Sequence, residues 1–261
     1  MNKIMPLSLL CLFLFGTIAA LSSDEKIIHV YVALCDNQNQ GIVPVPAHLG
    51  NSNDAAKNLY WGAAFGVKTF FKKSPNWSML ASIKGPKISI LERIIFKHNA
   101  SNTYLVADGY RGKEIKTTII DFLEAASGNK HEKIVFNTGE EKITISAAGQ
   151  SDLLVYVGHN GLMDFIIDKF PEANDTQKRD AMIIACRSKF YFKEALQKAK
   201  ANPLLWTTGL LAAEAYTLEN AIEGWIKNES TDNIRERAAK AYHAYQKCGI
   251  KAARKLFDTG Y

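Results

Sequence analysis

Short blocks of consecutive apolar residues alternate with stretches whose apolar positions recur at helical spacing. IIHVYVAL at 27–34 is rich in β-branched residues and predicts a central strand. A long polar loop with prolines and glycines follows, and long loops at strand ends often carry function. Asp54 predicts the start of a helix running to about residue 72. Short β segments are expected at 78–83, 88–97 and 102–107. The last leads into the glycine-flanked loop Asp108-Gly109-Tyr110-Arg111-Gly112 and a helix at 113–126. HEKIVFNTGEEKITISAAG alternates polar and apolar residues and predicts a surface hairpin turning on Asn-Thr-Gly-Glu. Strands are expected at 153–157, 181–184 and 203–207. Helices are expected at 162–170, broken by Pro171, and at 189–200. Two longer helices, 212–227 and 231–247, close the pattern, with Gly249 as the stop. Strand and helix alternating at this spacing imply parallel strands joined by right-handed crossovers. The expected fold is α/β: a mainly parallel sheet sandwiched by helices, with a small β-hairpin insertion and two C-terminal helices.

Two of these strands stop abruptly at residues able to do chemistry. DLLVYVGHNG ends at His159, Asn160 and Gly161, and DAMIIACRS centres on Cys186. In open α/β sheets the chemistry sits at the carboxyl ends of such strands. A His and a Cys delivered to one edge form a thiol with its base. Cys186 would attack a carbonyl as thiolate, helped by His159 and by the start of the helix near Ser188. The N–H groups of Gly161 and Cys186 are candidates for an oxyanion hole. Arg187 and Ser188 could line the substrate pocket, as could Asp36 and Asn37 in the long loop. His29, within a strand, reads as structural, His48 as a loop residue and Asp108 as a turn residue. Trp61, Phe65 and Phe70 read as core. No HExxH, Gly-x-Ser-x-Gly or phosphate-loop motif occurs, so neither a metal nor a cofactor is expected.

Composition narrows the class. At 261 residues, 47% hydrophobic and 22% charged, one domain is the default. The apolar opening, with Lys3 before it and small residues after, reads as a signal peptide over 1–22, leaving residues 23–261 as a single exported domain, secreted or periplasmic. No later segment is apolar enough to span a membrane. The formal net charge of +6 falls to +5 without Lys3. Much of the excess lies on helical faces near the C-terminus, a solvated surface and not a nucleic-acid site. Cys35, Cys186 and Cys248 follow the leader; an odd number leaves a thiol free or paired between chains. The simplest arrangement joins Cys35 to Cys248 and leaves Cys186 free.

An apolar strand ending in a His before glycine, with the next strand ending in Ala185-Cys186-Arg187, resembles the signature of the caspase–haemoglobinase fold, the clan CD cysteine peptidases. The opening strand, the loop with Asp36 and Asn37, and the Asp54-Ala55-Ala56 segment are similar to the start of that fold. The resemblance implies a caspase-like three-layer domain that cleaves peptide or protein substrates with Cys186 as nucleophile and His159 as acid/base. It also implies that Thr207, Thr208 and Gly209 border the primary specificity pocket. Asn160 intervenes before Gly161, Ile184 and Ser188 replace the caspase Gln and Gly, and His and Cys lie 186 − 159 = 27 residues apart, against roughly 50 in caspases. Three readings stand open: a peptidase, a degenerate peptide-binding member of the same fold, and an unrelated α/β domain.

Overall fold

A computed structural model describes residues 25–139 and 141–261; the expected leader at 1–22 lies outside them. In chain order the elements are β1 (Lys26–Ala33), α1 (Val67–Lys73), β2 (Trp77–Lys87), β3 (Ile90–His98), β4 (Thr103–Tyr110), α2 (Ile115–Ala126), β5 (His131–Thr138), β6 (Glu141–Ala148) and β7 (Leu153–Val157). They continue with β8 (Asp180–Ile184), α3 (Ser188–Ala199), β9 (Asn202–Thr207), α4 (Ala215–Ile226), α5 (Thr231–Gln246), α6 (Ile250–Leu256) and β10 (Phe257–Asp258).

Eight strands form one sheet in the order β10-β9-β8-β7-β1-β4-β3-β2, and β5 and β6 pair separately as a hairpin. The five middle strands, β9 to β4, run parallel. They are the near-continuous apolar runs that a sheet covered on both faces requires, and every residue of β7 is buried. Antiparallel neighbours, β2 with β3 on one side and β10 on the other, flank this parallel centre. The centre agrees with the expected α/β class; the antiparallel margins were not expected. The connection leaving β1 runs through α1 to β2 on one side of the sheet, whereas the connection leaving the adjacent β7 runs to β8 on the other. That divergence makes a topological switch point, where ligands of open α/β sheets bind.

Alternate side chains feed two layers. Ile28, Val30 and Val32 of β1 pack with α1, α4, α5 and α6. Tyr31 and Ala33 face α2 and α3. The β5–β6 hairpin covers another part of this second face, over Ile95 and Val106. Under it, Arg93 grips Asp108 through Nε and a terminal nitrogen (2.6 and 2.7 Å) and reaches Glu132 of the hairpin (2.8 Å). His29 links the same carboxylate to the hairpin. The Ala148 N–H donates to its Nδ1 (3.1 Å), so Nε2 carries the hydrogen given to Asp108 (3.1 Å). Asp108 is therefore a buried strand residue and not the turn expected.

Several other expectations are corrected. The helix expected from Asp54 is confined to Val67–Lys73; the chain before it runs as successive tight turns. Asn58 diverts the backbone: its side chain takes the Cys35 and Tyr60 N–H groups and donates to Cys35 and Asn51 carbonyls. Gly66 then passes so close to Trp61 that an added Cβ would lie 2.5 Å from its backbone. The helix expected at 162–170 is a single 3-10 turn, Gly161–Met163. Leu162 of this turn and Phe165, Ile167 and Phe170 beyond it are drawn onto the second core at spacings no helix face provides. The stop of α5 is Lys247, in the left-handed region, and Gly249 opens α6, so three C-terminal helices stand where two were expected. Cys35, Cys186 and Cys248 are all free, Cys35 buried and Cys248 exposed, so the Cys35–Cys248 bridge is absent. Among the described residues no helix is long and apolar enough to cross a membrane.

Candidate functional site

The carboxyl ends of β1, β7 and β8 lie side by side at the switch point. Val157 of β7 is paired with Ile184 of β8, so His159 and Cys186 each stand two residues beyond paired positions (159 − 157 and 186 − 184). Both chains turn sharply there. Gly158, with φ 139°, precedes the histidine, and Arg187, a non-glycine residue at φ 49°, follows the cysteine. A side chain at Gly158 would also meet the Ala33 carbonyl oxygen at 2.7 Å. Left-handed backbone at a residue like Arg187 costs on the order of 1–3 kcal/mol and persists where the surroundings enforce it. Here Arg187 N–H is held by the Gly209 carbonyl (2.8 Å).

His159 is 7% exposed and held from both sides. Its carbonyl accepts from the Tyr156 hydroxyl (2.6 Å), and its Nε2 meets Asp164 Oδ2 (2.7 Å). The same Asp164 oxygen accepts the Gly41 N–H from the loop after β1 (2.9 Å). The neighbouring Asn160 is fully buried: its amide donates to the Cys186 carbonyl (2.7 Å) and its oxygen accepts the Leu162 N–H (3.1 Å). The residue that departs from the His-Gly pattern is thus the tie between the histidine loop and the cysteine loop.

Cys186 is partly exposed, and its Sγ contacts the Leu211 carbonyl oxygen at 3.7 Å. It precedes α3 by two residues, near the positive end of that helix. Among the described residues the N–H groups of Cys186 and Gly161 donate to no protein acceptor, and Gly161 itself is buried. Tyr60 stands among Cys35, Cys186 and Glu214, and burial followed by those neighbours holds its hydroxyl above its ordinary range. Burial, with Asp36 beside it, pushes the Cys35 thiol up to about 12, so Cys35 is no competing nucleophile.

The expected substrate residues divide. Ser188 and Thr207 are buried and bonded to each other; Ser188 also donates to the Ile183 carbonyl and Thr207 to that of Ala185. They brace the Cys186 turn from below and present no hydroxyl to a substrate. Arg187 is exposed and lies against Phe190. Thr208 donates to the Lys255 carbonyl, and Gly209 holds Arg187 through its own. Asp36 and Asn37 line a separate polar hollow of about 410 Å³ with Gln38, Ser52 and Lys113, beyond the ends of β1 and β4. The Asp36 carboxylate is already engaged by the N–H groups of Gln38 and Asn39 and by the Asn39 amide.

Asp164 is the site residue that sequence reasoning missed. It lies five residues after His159, inside a segment read as helix, where it would have projected into solvent. Its one sequence signal is an acidic side chain close behind the candidate base. Among the described residues no cluster of His, Cys, Asp or Glu is arranged to hold a metal ion. Comparison with protein-family models, with curated proteins and with solved structures finds no match in any of the three.

Proposed function

We propose that the chain is an exported cysteine hydrolase of the caspase–haemoglobinase kind that cleaves peptide bonds through a thioester. The observation that carries this reading is the common offset of His159 and Cys186 beyond a paired register on adjacent parallel strands. In the proposed reaction His159 takes the Cys186 proton, and the sulfur bonds to the scissile carbonyl carbon. The carbonyl oxygen becomes an oxyanion on the Cys186 and Gly161 N–H groups. His159 then returns its proton to the amine nitrogen, the C–N bond breaks, and a thioester remains. Water, deprotonated by His159, attacks that thioester and the C–S bond breaks, restoring the thiol.

Supporting features are the acidic partner on His159, the unpaired N–H groups of Cys186 and Gly161, and unusual backbone at both strand ends. A second reading, a catalytically silent domain that binds peptide, is favoured by one detail. The Cys186 thiol is directed at the Leu211 carbonyl oxygen, so it faces a protein acceptor.

Alkylation by iodoacetamide near neutral pH, mapped residue by residue, separates the two. The enzyme reading expects Cys186 to react faster than the exposed Cys248 and to slow at least about 100-fold in His159→Ala, the usual size of a general-base effect. Cleavage of a peptide library that disappears in Cys186→Ser completes the support. Equal, slow labelling of Cys186 with and without His159 overturns the peptidase reading, and saturable peptide binding without turnover selects the second.

A further inference from the structure

We infer that Asp164 is the positioning residue for His159, and that Gly41, in the loop after β1, sets where the Asp164 carboxylate stands. The catalytic consequence of this assignment rests on the dyad reading above; the geometry does not.

One oxygen, Asp164 Oδ2, accepts from two donors, His159 Nε2 at 2.7 Å and Gly41 N–H at 2.9 Å. An ionised carboxylate only accepts, so the imidazole nitrogen facing it carries hydrogen. Neutral His159 is therefore the Nε2–H tautomer, with its lone pair on Nδ1. Nδ1 is then the nitrogen that receives the thiol proton and later returns it to the leaving amine. Throughout, the Nε2–H remains on Asp164, whose negative charge stabilises the imidazolium in between, the role of an acid that orients a base.

Gly41 is glycine because of this contact. It is not among the residues with positive φ, so its backbone accepts a side chain. The obstacle is space: an added Cβ would lie 2.4 Å from Asp164 Oδ1 and 3.0 Å from its Cγ. The loops leaving β1 and β7, which diverge at the switch point, thus meet again at a single carboxylate. Gly41→Ala adds one methyl group, alters no polar atom, and drives Asp164 away from the imidazole.

The test is nitrogen-15 NMR of the full chain with labelled histidine, at a pH where His159 is neutral and with its signals assigned by His159→Gln. The wild type is expected as one tautomer, protonated on Nε2. Asp164→Asn is expected to keep it, since the Gly41 N–H still draws an oxygen to the Oδ2 position. Asp164→Ala and Gly41→Ala are expected to give a mixture, with the urea midpoint of Gly41→Ala unchanged. Alkylation of Cys186 should fall about 100-fold in Asp164→Ala, and fall in the same direction in Gly41→Ala. A wild type protonated on Nδ1, or a Gly41→Ala protein that keeps the pure Nε2–H form, overturns the assignment. The expected tautomers with a sluggish wild-type Cys186 uphold the assignment and sink the dyad instead.

Discussion

Replacing Asp108 by alanine tests whether buried charge locks the hairpin to the sheet. The Asp108 side chain is 1% exposed and the Arg93 side chain 4%, and the carboxylate accepts three bonds, two from Arg93 and one from His29. Removing it leaves a buried guanidinium with Glu132 as its one acidic partner. Breaking a buried pair from one side costs about 3–5 kcal/mol. The Glu132 contact survives, so the expectation is the low end, about 3 kcal/mol. Urea slopes of about 1–3 kcal/mol per M turn that into a midpoint about 1 M or more lower. Replacing both partners with apolar residues, Arg93→Met with Asp108→Leu, removes the orphaned charge and should recover more than half of the loss. Equilibrium urea unfolding followed by tryptophan fluorescence reads all three proteins. The pH dependence supplies a second check. Burial alone would raise the Asp108 carboxyl, but the Arg93 hydrogen bonds and charge, with His29, outweigh it and hold it well below the ordinary carboxylate range. A depressed pKa gives stability that is complete above the unfolded value, about 4, and is lost as pH falls toward the folded one. The wild type should therefore lose its advantage over Asp108→Ala only in acid. A loss under about 1 kcal/mol at neutral pH, or a double variant no better than the single, would refute the reasoning, because breaking a buried pair from one side should cost several times more.

Asn160→Ala strands the Leu162 N–H and the Cys186 carbonyl, so it should cost about 1–3 kcal/mol in urea unfolding and loosen the reactive turn, seen as a changed alkylation rate at Cys186. Gly158→Ala meets the Ala33 carbonyl and an unfavourable φ at once; a drop of about 1–3 kcal/mol is expected, and an unchanged midpoint would contradict it. Burial opposes ionisation of Glu92, yet Lys68, Lys84, Trp61 and Ser82 bring its carboxyl down to about 2. Its advantage over Glu92→Gln should be full above about pH 4.3 and fade as pH falls to about 2, as acid titration of the midpoint would show.

The central strands were legible because their apolar runs have no other reading. IIHVYVAL, LLVYV and AMII cannot be solvated on either face, and each is a parallel strand within a residue or so of the expected limits. The candidate pair was legible for the same reason, since a strand that ends abruptly in a polar residue marks its own carboxyl edge. What escaped was decided by contacts between distant segments. Residues 54–66 have helical spacing, but Asn58 bonds back to Cys35, and Trp61 is pulled inward to give its indole N–H to Glu92 (2.8 Å). Asp108 looked like a turn because Gly109 follows it. Its true partner, Arg93, lies on the neighbouring strand, where pairing of Arg93 with Asp108 sets the two directly opposite. Asp164 was hidden by an expected helix that the second core unwinds.

The switch point explains why the missed residues gather where they do. Loops leaving parallel strands in one direction stack as neighbours and need few cross-ties; at β1 and β7 the crossovers part, and the gap between them must be closed by side chains. Three ties close it here: Asn58 holds the end of β1, Asp164 joins Gly41 to His159, and Asn160 joins the histidine loop to Cys186. Each tie uses a short side chain with two oxygens or an oxygen and a nitrogen, able to serve two partners at once. A site assembled this way is rigid only while every tie holds. Single substitutions at Asp164 or Gly41 should therefore alter Cys186 chemistry far more than global stability, whereas substitutions in β7 or β8 should do the reverse. Parallel measurement of alkylation rate and urea midpoint across both sets decides it: if the two quantities fall together at every position, the ties are ordinary packing and the edge has no built-in chemistry.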